Sequence, residues 1–381
     1  MKVIMFYHSL LSDWNHGNAH FLRGIATELQ KRHHQVQVFE PENGWSLSNL
    51  TQQYGETKIQ EFSKYYPNLK TNFYRPETLD LDKTLQDADL VIVHEWNDHD
   101  LVKRIGEHRK NSDYKLLFHD THHRALTERE SMSQYDLSNY DGVLAFGEVI
   151  RNIYLEENWT TRAWAWHEAA DHNVFYPRTK DSFDGDLVWI GNWGDEERTA
   201  ELHEFLLKPV KELGLRAKVY GVRYPKHALK ALADAGIQYG GWLPNYMVPE
   251  VFARYKVTVH VPRRPYAEAL PGIPTIRPFE AMACGIPLIS APWEDSENLF
   301  RPGRDFLVAR NGEEMKQHLK WVLTDQRKAL DLVCNGRKVI NRHHTCSHRI
   351  HELKTICKEL GIAHDKIYNP THSSAHQKAT V

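Results

Sequence analysis

With 381 residues the chain exceeds what one hydrophobic core commonly serves, so two domains of ordinary size are expected. A formal net charge of -2, from 48 Lys plus Arg against 50 Asp plus Glu, argues against a dense basic surface for nucleic acid or an anionic membrane. No apolar run reaches membrane-spanning length, the first residues lack the pattern of a secretion signal, and the four cysteines are too scattered for a disulfide framework, so a cytoplasmic, reducing setting is expected.

Strand and helix signals alternate from the start. Lys2 to Tyr7 reads as an apolar strand, Asn18 to Lys31 as a helix with Leu22, Ile25, Ala26 and Leu29 on one face, and Gln35 to Phe39 as a second strand. Leu90 to His94, Leu116 to His119, Val143 to Phe146 and Ala163 to Trp166 are mostly unbroken apolar runs, the pattern of strands buried on both faces of a parallel sheet. Between Asn173 and Asp186 the chain turns polar, with Pro177 and the run Thr179-Lys180-Asp181-Ser182, as in an exposed linker.

A second series then begins. Strands are expected at Leu187 to Ile190, Ala217 to Tyr220, Lys256 to His260 and Pro287 to Ser290, with helices at Glu197 to Leu213 and Pro278 to Ala283. This is an α/β chain of two Rossmann-like domains, 1–173 and 174–362, facing each other across a cleft, with ligands held outside the carboxyl ends of the strands. From Met315 to Leu360 the pattern is helical with a break at Gly336, and these helices are expected to return partly toward the first domain. Ala363 to Val381 is polar and predicts a loose tail, 363–381.

The 24 histidines, with the run His119-Asp120-Thr121-His122-His123, invite a metal reading. Zinc sites want paired ligands at helix or knuckle spacing, and neither CxxC nor HExxH occurs, so no metal is expected.

Three regions could carry chemistry. In Leu270 to Trp293, "LPGIPTIRPFEAMACGIPLISAPW", a Pro/Gly loop enters a short helix bearing Glu280. A helix N-terminus offers free N–H groups to an anion, and a carboxylate one turn on can accept from vicinal hydroxyls; the same residue could equally serve as a first-turn acid. In "DLVWIGNWGDEERTAEL", Gly191, Asn192 and Gly194 form a turn before Arg198, supplying the close backbone approach and fixed cation a diphosphate needs, with Arg263 and Arg264 as a second basic pair. In "HSLLSDWNHGNAH", Asp13 and His16 fall just before a helix N-terminus, with Asn18 as helix cap. The strand ends "LVIVHEWND" and "LLFHDTHHR" bring His94, Glu95, His119 and Asp120 to the same edge, and "AWAWHEAADHNVF" adds His167, Glu168 and Asp171 near the linker in a supporting role. Trp164 and Trp166 in that segment suit a core.

The stretch around Glu280 resembles the second-domain signature of GT-B glycosyltransferases, "EAMAxGxPV", and in particular of those related to the spore-maturation CgeB proteins and, more remotely, the GT4 family of glycosyl transferase group 1 type. The resemblance implies a GT-B fold and a glycosyltransferase in which Glu280 grips the nucleotide ribose, the Gly191 turn and Arg198 hold the donor diphosphate, His119 touches the donor sugar, and Asp13 or His16, in a loop that meets the acceptor, acts on its hydroxyl as general base. The GT4 pattern carries a second Glu eight positions earlier, where this chain has Gly272, so backbone N–H groups of Gly272 and Ile273 are expected to replace that contact.

The expected reaction is metal-independent transfer of a sugar from a nucleoside diphosphate sugar, UDP- or GDP-linked, to an unidentified acceptor hydroxyl. The donor is a substrate and no cofactor is expected; nucleic acid is not an expected partner. A sugar-nucleotide 2-epimerase of the same architecture and a non-catalytic sugar-nucleotide or glycan-binding protein are the alternatives, separated by product analysis with and without acceptor.

Overall fold

The computed structural model describes residues 1–179 and 182–368. The first sheet contains β1 (Lys2–Phe6), β2 (Gln35–Pro41), β3 (Thr71–Tyr74), β4 (Leu90–His94), β5 (Lys115–Asp120), β6 (Gly142–Ala145) and β7 (Ala163–Ala165). Its order is β3-β2-β1-β4-β5-β6-β7, with every pairing parallel. The second sheet contains β8 (Gly185–Ile190), β9 (Ala217–Tyr220), β10 (Ile237–Tyr239), β11 (Tyr255–His260), β12 (Leu288–Ser290) and β13 (Leu307–Val308), in the parallel order β10-β9-β8-β11-β12-β13. Both sheets reverse strand order beside their first strand, between β1 and β4 and between β8 and β11. At such a point adjacent loops diverge to opposite faces and leave a crevice at the carboxyl ends.

Central strands are apolar because helices cover both sheet faces; all five residues of β4 are buried. Each domain has an apolar cluster largely of its own, and a further one is shared. One apolar cluster runs from Val3, Met5 and Leu22 through Trp166 and Phe175 to Phe279, Ile286 and Ile350, joining both domains at the hinge.

The chain crosses between domains twice, side by side. Ala170 N–H donates to His344 O (3.0 Å) and Cys346 N–H to Ala170 O (2.9 Å), so the outgoing and returning segments pair. The helix Cys346–Glu359 then lies against the helix Ala19–Lys31 of the first domain. Gly24 makes that approach possible, since a Cβ there would sit 2.5 Å from Cys346 Sγ and 2.7 Å from Asp171 Cβ.

Several local expectations need correction. Gly336 does not break a helix: it lies inside Gln326–His343, where a side chain would press on Asp305 O and Met282 at 3.0 Å, and the breaks fall at Asp325 and His344. The single helix expected from Glu197 starts at Thr199 and widens into a π-type turn over His203–Leu207 ahead of Pro209, which has no N–H to give. Within the expected tail, His364–Tyr368 is helical, and residues 369–381 lie outside the described residues, as do Lys180 and Asp181 of the expected linker. Among the described residues no helix is long and apolar enough to cross a membrane.

Candidate active site

The carboxyl ends of the two sheets face each other across a cavity of about 580 Å³. The first domain supplies His8, Asp13, His16 and Asn18 after β1, Trp45 after β2, Trp96 after β4, Thr121 and His122 after β5, and Glu168 after β7. The second supplies Gly191, Asn192 and Arg198 after β8, Gly221 and Arg223 after β9, His260 and Arg263 at the end of β11, and Thr275 to Arg277 at the start of the helix Ile276–Cys284.

The second-domain wall is cationic. Arg198 is held by Nη1 donating to Val261 O (2.7 Å) and by stacking on Trp189 (5.1 Å), leaving Nε without a partner. Burial pulls its pKa down to about 9, so it stays charged at neutrality. Gly194 (φ +94°) is absent from the cavity wall; a Cβ there would lie 2.9 Å from Arg198 Nε, so this glycine makes room for the guanidinium. Gly191 and Asn192 do face the cavity, and Gly191 O would meet a Cβ on Gly221 at 2.1 Å, so neighbouring turns touch backbone to backbone. Arg263 lines the cavity, 3.3 Å from Glu197. Arg264, the expected member of that pair, turns away to Glu201 at 3.0 Å.

Glu280 is fully buried on the second turn of its helix and does not line the cavity. Its carboxylate takes His20 Nδ1 across the domain boundary at 2.7 Å and Arg277 on the preceding turn. The cavity sees Arg277, whose pKa burial lowers to about 10. Arg277 escaped the sequence reading, although its spacing three residues before Glu280 puts both on one helix face. The N–H groups of Gly272 and Ile273, expected to meet the donor sugar, are engaged inside their loop. Gly272 N–H donates to Glu294 O (2.7 Å) and Ile273 N–H to Leu270 O (3.3 Å).

On the first-domain wall, His119 is corrected. It is 1 % exposed, does not line the cavity, and packs between Trp166 (5.0 Å), His94 (5.5 Å) and Phe21 (6.1 Å). The strand continues through Asp120, so the cavity-facing residues come after it, at Thr121 and His122. Asp120 is buried and accepts from Tyr154 Oη (2.9 Å) and His122 N–H (2.9 Å), while His94 Nε2 meets Thr121 Oγ1 at 3.0 Å and Glu95 pairs with Arg124 at 2.9 Å.

Asp13 lines the cavity but is fully engaged. It binds Arg23 (2.8 Å), Trp242 Nε1 (2.9 Å) and the Asn245 N–H (3.0 Å), fastening the first domain to the second. Asn18 makes no helix-capping bond with its side chain and instead donates to Thr121 O at 3.0 Å. His16 faces the cavity with a buried Nε2 that has no partner, and burial together with neighbouring His8 holds it well below its ordinary range. Glu168, 3 % exposed, also lines the cavity with Oε1 unpartnered, and burial pushes its pKa up to about 8. His167 pairs with Glu297 across the hinge at 2.7 Å, and Asp171 accepts from Asn173 at 2.9 Å; both support the crossing.

Residues 198–355 match a family model described as glycosyl transferase-like. No curated protein sequence matches the chain. Among solved structures, the sucrose-phosphate synthase of Thermosynechococcus elongatus shares 13 % identity, with 94 % of this chain and 99 % of that chain covered and a TM-score of 0.65. Anabaena HepE, solved with UDP and glucose, shares 13 % identity, with 94 % of this chain and 100 % of that chain covered and a TM-score of 0.66. An alpha-glucosyltransferase solved with UDP and a 13-mer DNA shares 12 %, with 94 % and 99 % covered and a TM-score of 0.68. At such identity the likeness shows the fold, two facing parallel-sheet domains of the GT-B kind. The chain thus has a GT-B fold, and residues 198–355 of its second domain are similar to the glycosyl transferase-like family.

Proposed function

We propose that the protein transfers a sugar from a UDP-linked donor to an acceptor hydroxyl without a metal ion. The observation that carries the reading is the cavity wall where Arg198, Arg263 and Arg277 converge beside the Gly191–Asn192 turn and the start of the helix Ile276–Cys284. Fixed guanidinium groups and free helix N–H groups stabilise the charge that builds on a leaving diphosphate, the task a divalent cation performs elsewhere. The UDP complexes of HepE and the alpha-glucosyltransferase support uridine as the base.

Opposite this wall, His16 presents a neutral imidazole with a free Nε2, the state a general base requires. Glu168 holds its proton at neutrality and serves as a hydrogen-bond donor to substrate oxygen. Glu280 acts through Arg277 by balancing its charge.

Isothermal titration with UDP in EDTA tests the reading. Wild type should bind, and Arg277→Ala and Arg198→Ala should each lose about 10- to 100-fold, since a charged hydrogen bond contributes roughly 1.5–3 kcal/mol. UDP binding that requires a divalent cation, or that both variants retain in full, would sink the proposal.

A further inference from the structure

The two walls of the cavity differ in kind. The first domain contributes no Lys or Arg to the described lining, and its most exposed side chains there are Trp45 after β2 and Trp96 after β4, with the half-buried rings of His8 after β1 and His122 after β5 completing a row in sheet order. At about 4.8 Å between strands, that row extends roughly 15 Å, longer than a single sugar ring needs.

Trp45 and Trp96 are 46 % and 40 % exposed although both are held. Trp96 has the Arg124 guanidinium 3.9 Å from its ring centre and His122 edge-on at 5.2 Å. Arg124 is itself fixed by Glu95 at 2.9 Å, so its charge is already balanced. Trp45 rests edge-on against Trp14 at 5.0 Å, and Trp14 is 4 % exposed and donates to Gln53 at 3.0 Å. Gly44 brings Trp45 close to the first loop, because a Cβ there would stand 3.3 Å from His8 O. Large aromatic faces that are rigid, wet and inside a reaction cleft gain more from a ligand than from solvent, since ordering them has already been done by the fold.

We propose that this wall is a subsite for a neutral saccharide acceptor, whose C–H faces stack on Trp45 and Trp96 while a hydroxyl is presented to the second-domain wall. The proposal rests on the glycosyl-transfer reading above and adds the chemical class of the acceptor. Phosphorylated acceptors such as nucleic acid or a lipid phosphate want unpaired cations along their path, whereas the cations beside these rings, Arg124 at Trp96 and Arg223 over Trp45 at 6.0 Å, are each paired with a carboxylate, Glu95 at 2.9 Å and Asp195 at 3.0 Å. Burial holds His8 down to about 4 and His122 well below its usual range, which keeps these two rings uncharged at pH 7.

The test titrates full-length wild type, Trp45→Ala, Trp96→Ala and Trp96→Phe, with UDP present. The probes are maltotriose, cellotriose, chitotriose, a single-stranded 13-mer oligonucleotide and undecaprenyl phosphate in detergent. At least one trisaccharide should bind, each alanine variant should weaken it by about tenfold, and Trp96→Phe should restore part of the loss. UDP affinity should be the same in all four proteins. No trisaccharide binding, an affinity untouched by both alanine changes, or preference for the oligonucleotide or lipid phosphate would overturn the assignment. Should wild type fail to bind UDP, the transfer reading falls; the trisaccharide titration repeated without nucleotide still decides the stacking surface.

Discussion

His16 and His119 share a residue type and a neighbourhood, and their surroundings give them opposite work. His119 has neither ring nitrogen partnered and lies sealed among aromatic side chains, so it fills space. His16 also has an unpartnered Nε2, but it is a residue of the cavity lining. His119→Ala is therefore expected to lower stability by about 3 kcal/mol, as loss of a large buried side chain does, while turnover per folded molecule is kept. His16→Ala should stay folded and lose turnover. Steady-state rates normalised to the folded fraction check this, and a collapse of turnover in the folded His119 variant would restore it to the chemistry. Sequence reasoning placed chemistry on His119 because it took the strand to end there. The strand runs one residue further, to Asp120, and the cavity edge falls in the loop beyond it, at Thr121 and His122. Glu280 drew attention for its acid, but the group that reaches the cavity is the cation one turn earlier, and only packing distinguishes two residues on one helix face.

Among elements, the strands most visible in the sequence were those buried on both sides, β4 and β5 above all, because nothing but an apolar run survives there. The edge strands β3, β10 and β13 escaped: they are short, and β3 is Thr-Asn-Phe-Tyr with only its last residue buried. The turn after β8 was legible as a glycine-bearing loop, but its contact with the turn after β9 was not, since Gly191 and Gly221 are 30 residues apart and meet only when β8 and β9 pair. This contact gives a prediction. A Cβ at Gly221 would come within 2.1 Å of a backbone oxygen, which no rotamer change relieves, so Gly221→Ala must push the Gly191–Asn192 turn out of place. UDP affinity should fall together with the melting temperature, and calorimetry alongside titration would show it. Unchanged affinity would mean that the turn does not hold the diphosphate.

At the scale of the molecule, the abundance of histidine is mostly a matter of burial. Desolvation lowers His8, His34 and His123 to about 4 and His119, His260 and His344 to about 3. In the unfolded chain each titrates near 6.5, so the stability they permit is complete above that value and is lost as pH falls from 6.5 toward 3–4. Urea midpoints measured from pH 7.5 down to 4.5 should drop steeply below 6.5, ahead of the carboxylate range. A flat profile would show that these rings find partners or water in solution. The two-domain layout was readable from the repeat of strand and helix signals. The joint apolar cluster at the hinge was not, because it depends on where the last long helix packs.

That helix, Cys346–Glu359, covers the helix Ala19–Lys31, and Trp166 donates to its Arg349 O at 2.9 Å. During synthesis the segment that completes the first domain therefore emerges after nearly all of the second. At about 5–20 residues per second, the ribosome leaves that apolar helix face uncovered for roughly ten seconds or more. The first domain made is the last one finished, and its early life is a waiting period with that face open to solvent.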